Sequence, residues 1–427
     1  MKYQERKNEN QKNCINNCKC GFAIESCFAS AEILNADAAD VKLLQSDVKY
    51  GKGEFSYSVY SDDHIEIGKG DNSKTISELT IPAKIDGKKV TGIDWYTFSE
   101  NKKLIKVTLP DTLVEIGTGA FSECTSLKSV VIPDSVQNIG DYAFESDTAL
   151  QNVKISKSLK TAGNSIFDDC ASLTKVEISN GAAVIGESMF SNCKNLASVT
   201  VPDTVKTIGK YAFDGCEKIS SINIPKTLTI LNDGVFRNCK SLESVTIPEK
   251  VTSIEDSAFK GCSLIENINL PKSVAKIWYQ AFCNCTNLKK ITINNPSCNI
   301  YSLSSTICNS FVNYSPVDNG LVICGYRGST AQQWTESNSF VKGLSFSALD
   351  GLLGDVNKDN KVDSKDAVLI LKSYAESLAG GKSDIDKSVA DVNGDGSVDS
   401  KDAVIVLKYY AETLTGFSGG IEDYLKK

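Results

Sequence analysis

The sequence predicts a β-rich solenoid of nine 23-residue coils, followed by a small α-helical module made of two loop–helix halves. The first observation behind this prediction is a phenylalanine that returns every 23 residues, at Phe98, Phe121, Phe144, Phe167, Phe190, Phe213, Phe236, Phe259 and Phe282. A fixed period of roughly 20 to 50 residues is typical of a solenoid. The second observation is a short alternating strand pattern inside each repeat. The third is an acidic 12-residue pattern that occurs twice near the C terminus.

Each part of the repeat has a geometric role, which the stretch from Phe190 to Phe213 illustrates. Val199 and Val201 alternate with polar residues, which is the pattern of a short strand with one buried face. Pro202 lacks an N–H group and therefore ends the strand. Gly209 supplies a bend where a side chain would be costly. A single coil cannot bury its own apolar side, but stacked coils cover one another in a continuous core.

The repeat array is expected to be closed by a cap at each end, because exposed terminal coils need protection. A hairpin pattern over Phe55–Ile67 precedes the array, and a segment with a short helix from about Ser329 to Glu336 follows it. The predicted divisions are residues 1–50, a disordered or atypical export leader; 51–97, the N-terminal cap hairpin and first partial coil; 98–294, the solenoid; 295–347, the C-terminal cap; 352–416, the helical module; and 417–427, a tail.

Composition excludes several classes of protein. The chain has 427 residues and a net charge of −7, which indicates neither a nucleic-acid binder nor a protein that binds anionic membranes. No apolar run approaches the length of about 18 residues that a membrane-spanning helix needs. Residues 20–31 have the length and the small-residue end of an export signal, but Glu25 interrupts the run. A degraded export signal and a disordered polar leader both remain open.

Fifteen cysteines would ordinarily suggest disulfides or zinc. Seven of them lie three residues after a repeat phenylalanine, at Cys124, Cys170, Cys193, Cys216, Cys239, Cys262 and Cys285. That regularity predicts a buried column of small apolar side chains. The chain has one histidine and no pair of C-x2-C motifs, which argues against zinc. We expect most of the column to be free thiols, although neighbouring coils would bring two cysteines near bonding distance. In a secreted protein, free thiols would imply a reducing habitat.

The two acidic patterns have the spacing of EF-hand calcium loops. Loop positions 1, 3, 5, 7, 9 and 12 are Asp355, Asn357, Asp359, Lys361, Asp363 and Asp366 in the first copy, and Asp391, Asn393, Asp395, Ser397, Asp399 and Asp402 in the second. Position 7 binds through its backbone carbonyl, so a lysine is no obstacle there. Position 6 must tolerate a positive φ and is Asn360 or Gly396. Because a hard cation prefers six or more oxygen ligands, the pattern predicts two Ca²⁺ ions.

Each loop is followed by one predicted helix, Lys365–Leu378 and Lys401–Leu414. Position 12 is aspartate instead of the usual glutamate, and no helix is expected before either loop. A calcium sensor of the calmodulin kind needs paired helix–loop–helix units, so the pattern argues against that class.

The repeat array and the helical module each resemble a known family. The repeat, from about Leu79 to Asn294, resembles leucine-rich repeats of the BspA type, and residues 352–416 resemble a type I dockerin. This resemblance implies a calcium-dependent module that attaches secreted proteins to a cohesin domain of a scaffoldin, most often in cellulosomes. The family's cohesin-contact positions would be Ser364, Lys365, Leu371 and Lys372, with the twins Ser400, Lys401, Leu407 and Lys408. Some dockerins have Ser-Thr where this chain has Ser-Lys, which leaves open the cohesin type that it prefers.

The sequence therefore favours a non-catalytic secreted binding protein that is attached to a scaffoldin. Coil geometry accounts for residues 76–294, and the one histidine, His64, falls in a hairpin turn, which leaves no evident catalytic set. The outward strand positions are small, polar and free of aromatics, which favours a protein or peptide ligand for the solenoid. The alternatives are a carbohydrate-binding or polysaccharide-degradation accessory protein of a cellulosome, and a surface adhesin.

Overall fold

The computed structural model describes residues 41–307, 311–312, 315–316, 320–349, 351–359 and 361–426. The chain divides into two compact units, Met1–Ala212 and Phe213–Lys427. Each unit carries part of a β-solenoid with stacked coils, and the second also carries the helical module. Most of the expected leader, residues 1–40, lies outside the described residues.

The first unit begins with a cap of antiparallel strands. The predicted hairpin is present as β2 (Phe55–Tyr60) and β3 (His64–Lys69). An additional strand, β1 (Leu43–Tyr50), pairs with β2, so the folded region begins inside the range 1–50 that was assigned to the leader. The sequence gives little sign of β1, because most of its residues are exposed and only pairing defines it. The cap joins the coils where β3 pairs in parallel with β6 (Lys88–Ile93).

The coils of the first unit stack through two sets of parallel strands. The longer strands form one face: β4 (Glu78–Thr80), β7 (Lys106–Thr108), β9 (Ser129–Val131), β11 (Asn152–Ile155), β13 (Lys175–Ile178) and β15 (Ser198–Thr200). The second face has β6, β8 (Glu115–Ile116), β10 (Asn138–Ile139), β12 (Thr161–Ala162), β14 (Val184–Ile185) and β16 (Thr207–Ile208). A further short strand, β5 (Lys84–Ile85), forms a hairpin with β6. Pairing joins residues 23 positions apart, as in Asn152 with Lys175, so the period of the sequence is the register of the sheet.

The second unit continues the same coil pattern. Its coil strands are β17 (Ile230–Leu231), β18 (Ser253–Ile254), β19 (Asn267–Leu270), β20 (Lys276–Ile277), β21 (Lys290–Ile293) and β22 (Asn299–Ile300). The longer strands expected at residues 221–224 and 244–247 are reduced to one bridge between Ser221 and Ser244. Their outward and inward alternation survives, so these coils keep the side-chain pattern without regular strand pairing.

A compact cap follows the last coil. It contains a 3₁₀ helix (Ser304–Thr306), β23 (Phe311–Val312), β24 (Ser315–Pro316), β25 (Val322–Gly325), α1 (Thr330–Ser337) and β26 (Ser345–Ala348). The predicted helix is α1, and its N-cap Ser329 accepts a hydrogen bond from the Gln332 amide. The last strand of the cap, β26, pairs in parallel with β25 and extends the sheet to Ala348, one residue beyond the predicted end of the cap.

The helical module has two long helices, α2 (Ser364–Leu378) and α4 (Ser400–Leu414), close to the predicted bounds. Two short helices, α3 (Lys387–Ala390) and α5 (Ile421–Tyr424), follow them. The short α3 therefore precedes the second loop, where no helix was expected. The segment 417–427, expected to be a tail, places Ile421 in the module's core with 1% of its surface exposed. Its burial is a long-range contact that the local pattern does not reveal.

Aromatic and sulfur columns fill the coils. The repeat phenylalanines are fully buried. Their rings stack at 5.2–5.7 Å from Phe98 to Phe190 in the first unit, and at 5.4–5.8 Å from Phe213 to Phe282 in the second. The cysteines in the described part of the chain are free and buried. Burial raises the pKa of the Cys285 thiol to about 12, so this thiol is protonated and unreactive at neutral pH.

Candidate functional site

The first acidic loop is organised by its last residue, Asp366, which is fully buried at the third position of α2. Its Oδ1 accepts hydrogen bonds from the amides of Val356 and Asn357 at 3.0 and 3.1 Å. Its Oδ2 accepts from the Asp363 amide at 2.9 Å, while the Asp363 carboxylate caps the helix by accepting from the Lys365 amide at 2.7 Å. This reciprocal capping box ties the loop to the helix that follows it.

The second loop repeats this geometry. Asp402 is also fully buried, and it accepts from the amides of Val392, Asn393 and Asp399 at 2.8, 3.0 and 2.9 Å. The Asp399 carboxylate accepts from the Lys401 amide at 2.6 Å. The N-cap residues of the two long helices have the same backbone angles, φ −138° and ψ −169°. The sequence duplication is therefore a structural duplication.

Polar side chains also shape the interior of each loop. The side-chain oxygen of Asn357 accepts a hydrogen bond from the backbone amide of Asp359 at 2.8 Å. The side-chain oxygen of Asn393 accepts the equivalent bond from Asp395 at 2.8 Å. Gly396, at position 6, has φ 87°, in agreement with the predicted sharp turn. Its counterpart Asn360 lies outside the described residues.

The loop residues fit a hard cation by their chemistry. They offer carboxylate and amide oxygens, and the side chains of Lys361 and Ser397 point away into solvent, as position 7 requires. The Oδ1 atom of Asp391 is buried and has no hydrogen-bond partner. Within the described ranges, no three acidic, histidine or cysteine side chains converge as a metal-binding group. When bound, calcium would offset the negative charge of the loop carboxylates.

The expected partner-contact positions lie on the exposed surfaces of α2 and α4. Ser364, Lys365, Leu371 and Lys372 are all exposed, and so are their twins Ser400, Lys401, Leu407 and Lys408. Leu371 and Leu407 are each 41% exposed, and Val368 and Val404 lie one turn before them, also exposed. The two helices thus carry matching patches, each with an apolar centre and basic neighbours.

The solenoid offers two kinds of surface. The outward residues of the longer strands are mostly polar and exposed, as predicted, with the exception of Val131, an apolar residue that is 63% exposed. In the second unit, the shorter strands carry an aromatic patch, in which Trp278, Tyr279 and Tyr301 are 36–41% exposed. The Trp278 indole donates to the Ser253 hydroxyl at 3.1 Å, and the Lys276 ammonium lies 5.7 Å from the centre of the Trp278 ring. A shallow groove of about 30 Å³ runs between Trp278 and Tyr301.

The one histidine is part of a structural pair. His64 stacks on Tyr60 with ring centres 4.4 Å apart and contacts the Asp62 carboxylate. A hydrogen bond with Glu66 is the main cause of the raised pKa of His64, and burial opposes it. These contacts hold the hairpin turn together, as does the Tyr60 hydroxyl, which donates to the Glu66 carboxylate at 2.7 Å.

Arg327 is a site residue that the sequence did not single out. It lies in the C-terminal cap, yet its guanidinium contacts the helical module at Gly351 and Glu422. Its partners lie 24 and 95 residues away in the sequence, so no local pattern indicates these contacts.

Comparison with known families identifies both parts of the chain. The model of the BspA type leucine rich repeat region matches residues 91–220 and 206–315, in six copies. The model of the dockerin type I domain matches residues 353–410. No curated protein matches the chain.

The chain is also similar to solved leucine-rich repeat structures. A leucine-rich repeat protein from Bacteroides ovatus is 22% identical and covers 70% of this chain and 76% of its own, with a TM-score of 0.48. The T. pallidum leucine rich repeat protein is 24% identical over 56% of this chain and 90% of its own, with a TM-score of 0.38. The pneumococcal vaccine antigen PcpA is 16% identical over 72% of this chain and 98% of its own, with a TM-score of 0.38. No helix among the described residues has the length and hydropathy needed to cross a bilayer.

Proposed function

Since the chain belongs to the BspA-type leucine-rich repeat family and carries a type I dockerin domain, we propose that it is a secreted, non-catalytic binding protein of a cellulosome-type assembly. Its dockerin attaches to a cohesin domain of a scaffoldin, and its solenoid recognises a protein ligand. Leucine-rich repeat and dockerin domains are both binding modules, and both are typical of extracellular proteins.

One observation carries the attachment role. The dockerin presents the same exposed set twice, Ser364, Lys365, Leu371 and Lys372 on α2 and the twins on α4. Apolar residues surrounded by basic ones are suited to an interface with an apolar centre and a polar rim. Because the two sets follow the same loop geometry, a cohesin can dock on either one, with the module turned by about 180°.

The attachment depends on two Ca²⁺ ions, one in each loop. The duplicated hydrogen-bond pattern of Asp366 and Asp402 supports two equal sites. The loop carboxylates, which accept hydrogen bonds from loop amides in this structure, are the groups that would bind the cation.

Two half-variants and their combination test the attachment. We expect Ser364→Asp with Lys365→Asp to weaken cohesin binding only about twofold, the statistical loss of one of two equal faces. Ser400→Asp with Lys401→Asp should behave in the same way. The variant with all four changes should lose far more than the two half-variants together, because no face remains. Isothermal titration calorimetry with a cohesin domain in excess calcium measures all three.

The matched control is Lys382→Asp, an exposed lysine of the same module outside both sets. It should leave binding unchanged. If either half-variant alone abolishes binding while its calcium response is intact, only one face is used and the two-face arrangement is wrong.

The proposed protein ligand rests on the polar face of the longer strands. This face offers hydrogen-bonding side chains on a regular lattice, which suits a protein or peptide surface. A pull-down that uses residues 41–349 as bait, followed by direct titration of the captured protein, tests this assignment. Retention on insoluble polysaccharide alone would contradict it.

A second candidate, carbohydrate binding, is favoured by the aromatic patch of the second unit. Exposed rings of Trp278 and Tyr301 beside Lys276 and Asn299 form an apolar platform with polar neighbours, an arrangement that suits a sugar ring. Binding to cellulose and xylan, measured for the wild type and for Trp278→Ala, separates the two candidates. Binding that disappears in this variant would favour carbohydrate. The control is Trp95→Ala, a tryptophan of the first unit.

A further inference from the structure

The passage from solenoid to dockerin is short and held at both ends. Strand β26 ends at Ala348, and the first calcium ligand is Asp355. The Leu349 amide still donates to the Gly325 carbonyl of the cap sheet at 2.8 Å. The Gly354 amide already donates to the Val389 carbonyl inside the dockerin at 2.8 Å. A flexible linker of the usual kind needs a longer solvated stretch than this.

Arg327 joins the cap to the dockerin beside this passage. It lies between β25 and α1, and its side chain is only 16% exposed. Its Nη2 donates to the Gly351 carbonyl, within the passage. The same atom lies 3.3 Å from Oε1 of Glu422, near the end of the dockerin, and Nε lies 3.4 Å from that oxygen. One cap side chain thus contacts both the passage before the dockerin and the short helix α5 that packs into its core.

The surface that faces Arg327 is acidic on both halves of the dockerin. Asp386 is the N-cap residue of α3, which follows the first loop–helix half, and Glu422 lies in α5, which follows the second. The Ser388 hydroxyl is the main cause of the lowered pKa of Asp386, and the charges of Lys358 and Arg327 add to it. A single cation from the cap therefore stabilises negative charge from both halves.

A pocket of about 280 Å³, open to solvent, lies beside the passage and is lined by residues that include Leu349, Leu352, Asp386 and Val389. Leu349 and Leu352 are 38% and 36% exposed, so apolar burial is a weak source of cohesion here. The charged contacts of Arg327 are the specific element of the junction, because hydrogen bonds from a guanidinium to a carbonyl and a carboxylate fix direction as well as distance.

We propose that the C-terminal cap of the solenoid is a docking surface for the chain's own dockerin, closed by Arg327. The dockerin leaves the solenoid in a fixed orientation, with both expected cohesin-contact sets exposed. Docking itself is independent of the proposed function, but its dependence on calcium rests on it. Since Glu422 and Gly351 are held in place by the dockerin fold, removal of calcium releases them from Arg327.

Amide hydrogen exchange on the full chain tests the docking. In excess calcium, the amides of Leu349 and Gly354 should exchange about tenfold faster in Arg327→Glu than in the wild type. The double variant Arg327→Glu with Glu422→Arg restores opposite charges and should recover most of the protection. Arg237→Glu serves as the control, because Arg237 pairs with Asp214 inside the solenoid and makes none of the junction contacts. It should leave the junction amides unchanged.

Unchanged exchange at Leu349 and Gly354 in Arg327→Glu would overturn the docking. So would faster exchange that the charge-swapped pair fails to reduce, because the loss would then be general destabilisation. Chelation of calcium in the wild type should raise exchange at Leu349 to the level of Arg327→Glu, and at Gly354 beyond it, because the bond from Gly354 to Val389 lies inside the dockerin. The proposed function is tested separately, because cohesin affinity and calcium-dependent helix content should be equal in Arg327→Glu and the wild type. Their loss in both proteins would contradict the dockerin assignment and leave the exchange comparison in calcium intact.

Discussion

Asp147 stands where seven of the nine repeats place a cysteine and the first places Asn101, and it shows what that column requires. The thiols donate to the carbonyl of the phenylalanine 26 residues earlier, as Cys124 does to Phe98 at 3.3 Å and Cys170 to Phe144 at 3.2 Å. The column therefore needs a hydrogen-bond donor that is small enough to be buried. Asp147 accepts from the Cys124 amide through Oδ1, but its buried Oδ2 has no hydrogen-bond partner. Burial raises the pKa of Asp147 well above its usual range.

Asparagine should be a better residue than aspartate at this position. We expect Asp147→Asn to stabilise the protein by about 2 kcal/mol at about pH 8, because an amide can both accept from Cys124 and donate where the thiols donate. The folded state holds the Asp147 proton more tightly than the unfolded chain does. Its contribution is therefore fully present below the unfolded pKa of about 4, and it is lost as the pH rises through the folded pKa. Denaturant unfolding at about pH 5 and about pH 8 should show a larger gain at the higher pH.

The matched variant is Asp147→Cys, which restores the residue of the neighbouring coils and should be stabilising in the same direction. Glu145, whose pKa burial raises to about 7, titrates in all three proteins and forms a common background. Equal pH dependence of the wild type and Asp147→Asn would show that Asp147 is not the buried proton carrier.

At the scale of the coil, the residue after the short strand donates a backbone hydrogen bond to the preceding coil, and the two units differ in the residue type that does so. In the first unit, the residue after each of the two-residue strands β8, β10, β12, β14 and β16 is glycine, and a Cβ atom at Gly140 would lie 2.5 Å from the Thr118 nitrogen. In the second unit this position carries side chains, such as Glu255 and Trp278. The coil-to-coil bond is the same, 2.8 Å from Gly140 to Ile116 and 2.9 Å from Glu255 to Leu231. The glycine is therefore required by close approach between coils in the first unit only.

Alanine substitutions at these two positions should separate the units. We expect Gly140→Ala to destabilise the first unit by about 1 to 3 kcal/mol, because the new methyl group meets backbone atoms that cannot move away. Glu255→Ala, at the same repeat position of the second unit, should change stability by less than about 0.5 kcal/mol. Thermal unfolding followed by circular dichroism measures both. A comparable loss in the two variants would mean that the side chain at this position is tolerated alike in both units.

At the scale of the whole chain, stability divides between a metal-independent coil stack and a metal-dependent dockerin. Stacked phenylalanines and parallel strands hold the coils together. In the described part of the coils, buried carboxylates occur only at isolated positions such as Asp147. The dockerin core is a small set of residues, including Ile370, Val406 and Ile421, beneath two loops rich in carboxylates. Such a small core needs additional stabilisation, which we propose that calcium supplies.

Calcium removal should therefore unfold the dockerin and spare the coils. With a chelator, the helical signal from α2 and α4 should fall while the β signal persists, because carboxylates without a cation repel one another. Far-UV circular dichroism of the full chain in calcium and in chelator measures this change. Magnesium at the same concentration is the control and should restore little helix, since it demands stricter octahedral geometry. Helix content that does not respond to chelation would contradict the calcium sites.

The sequence by itself determined what is periodic and local in this protein. The 23-residue period sets the strand register, the alternation at positions such as Val199 separates buried from exposed residues, and the loop spacing places Asp366 and Asp402 at the starts of their helices. These features follow from side-chain patterns that repeat along the sequence, and they can be recognised without knowledge of the fold.

Only the tertiary structure decided the features that depend on partners distant in the sequence. Two residues before and two residues after each repeat phenylalanine, the backbone has left-handed angles, as at Tyr142 (φ 58°) and Ser146 (φ 59°). The residue types at these positions vary. Their conformation is supported by coil-to-coil bonds, 2.9 and 2.8 Å long, to the carbonyls of Asn164 and Asp168. The added strands β1 and β26, the burial of Ile421 and the contacts of Arg327 likewise require segments brought together by folding. A local pattern cannot encode them, because each depends on a long-range partner whose position the chain path sets.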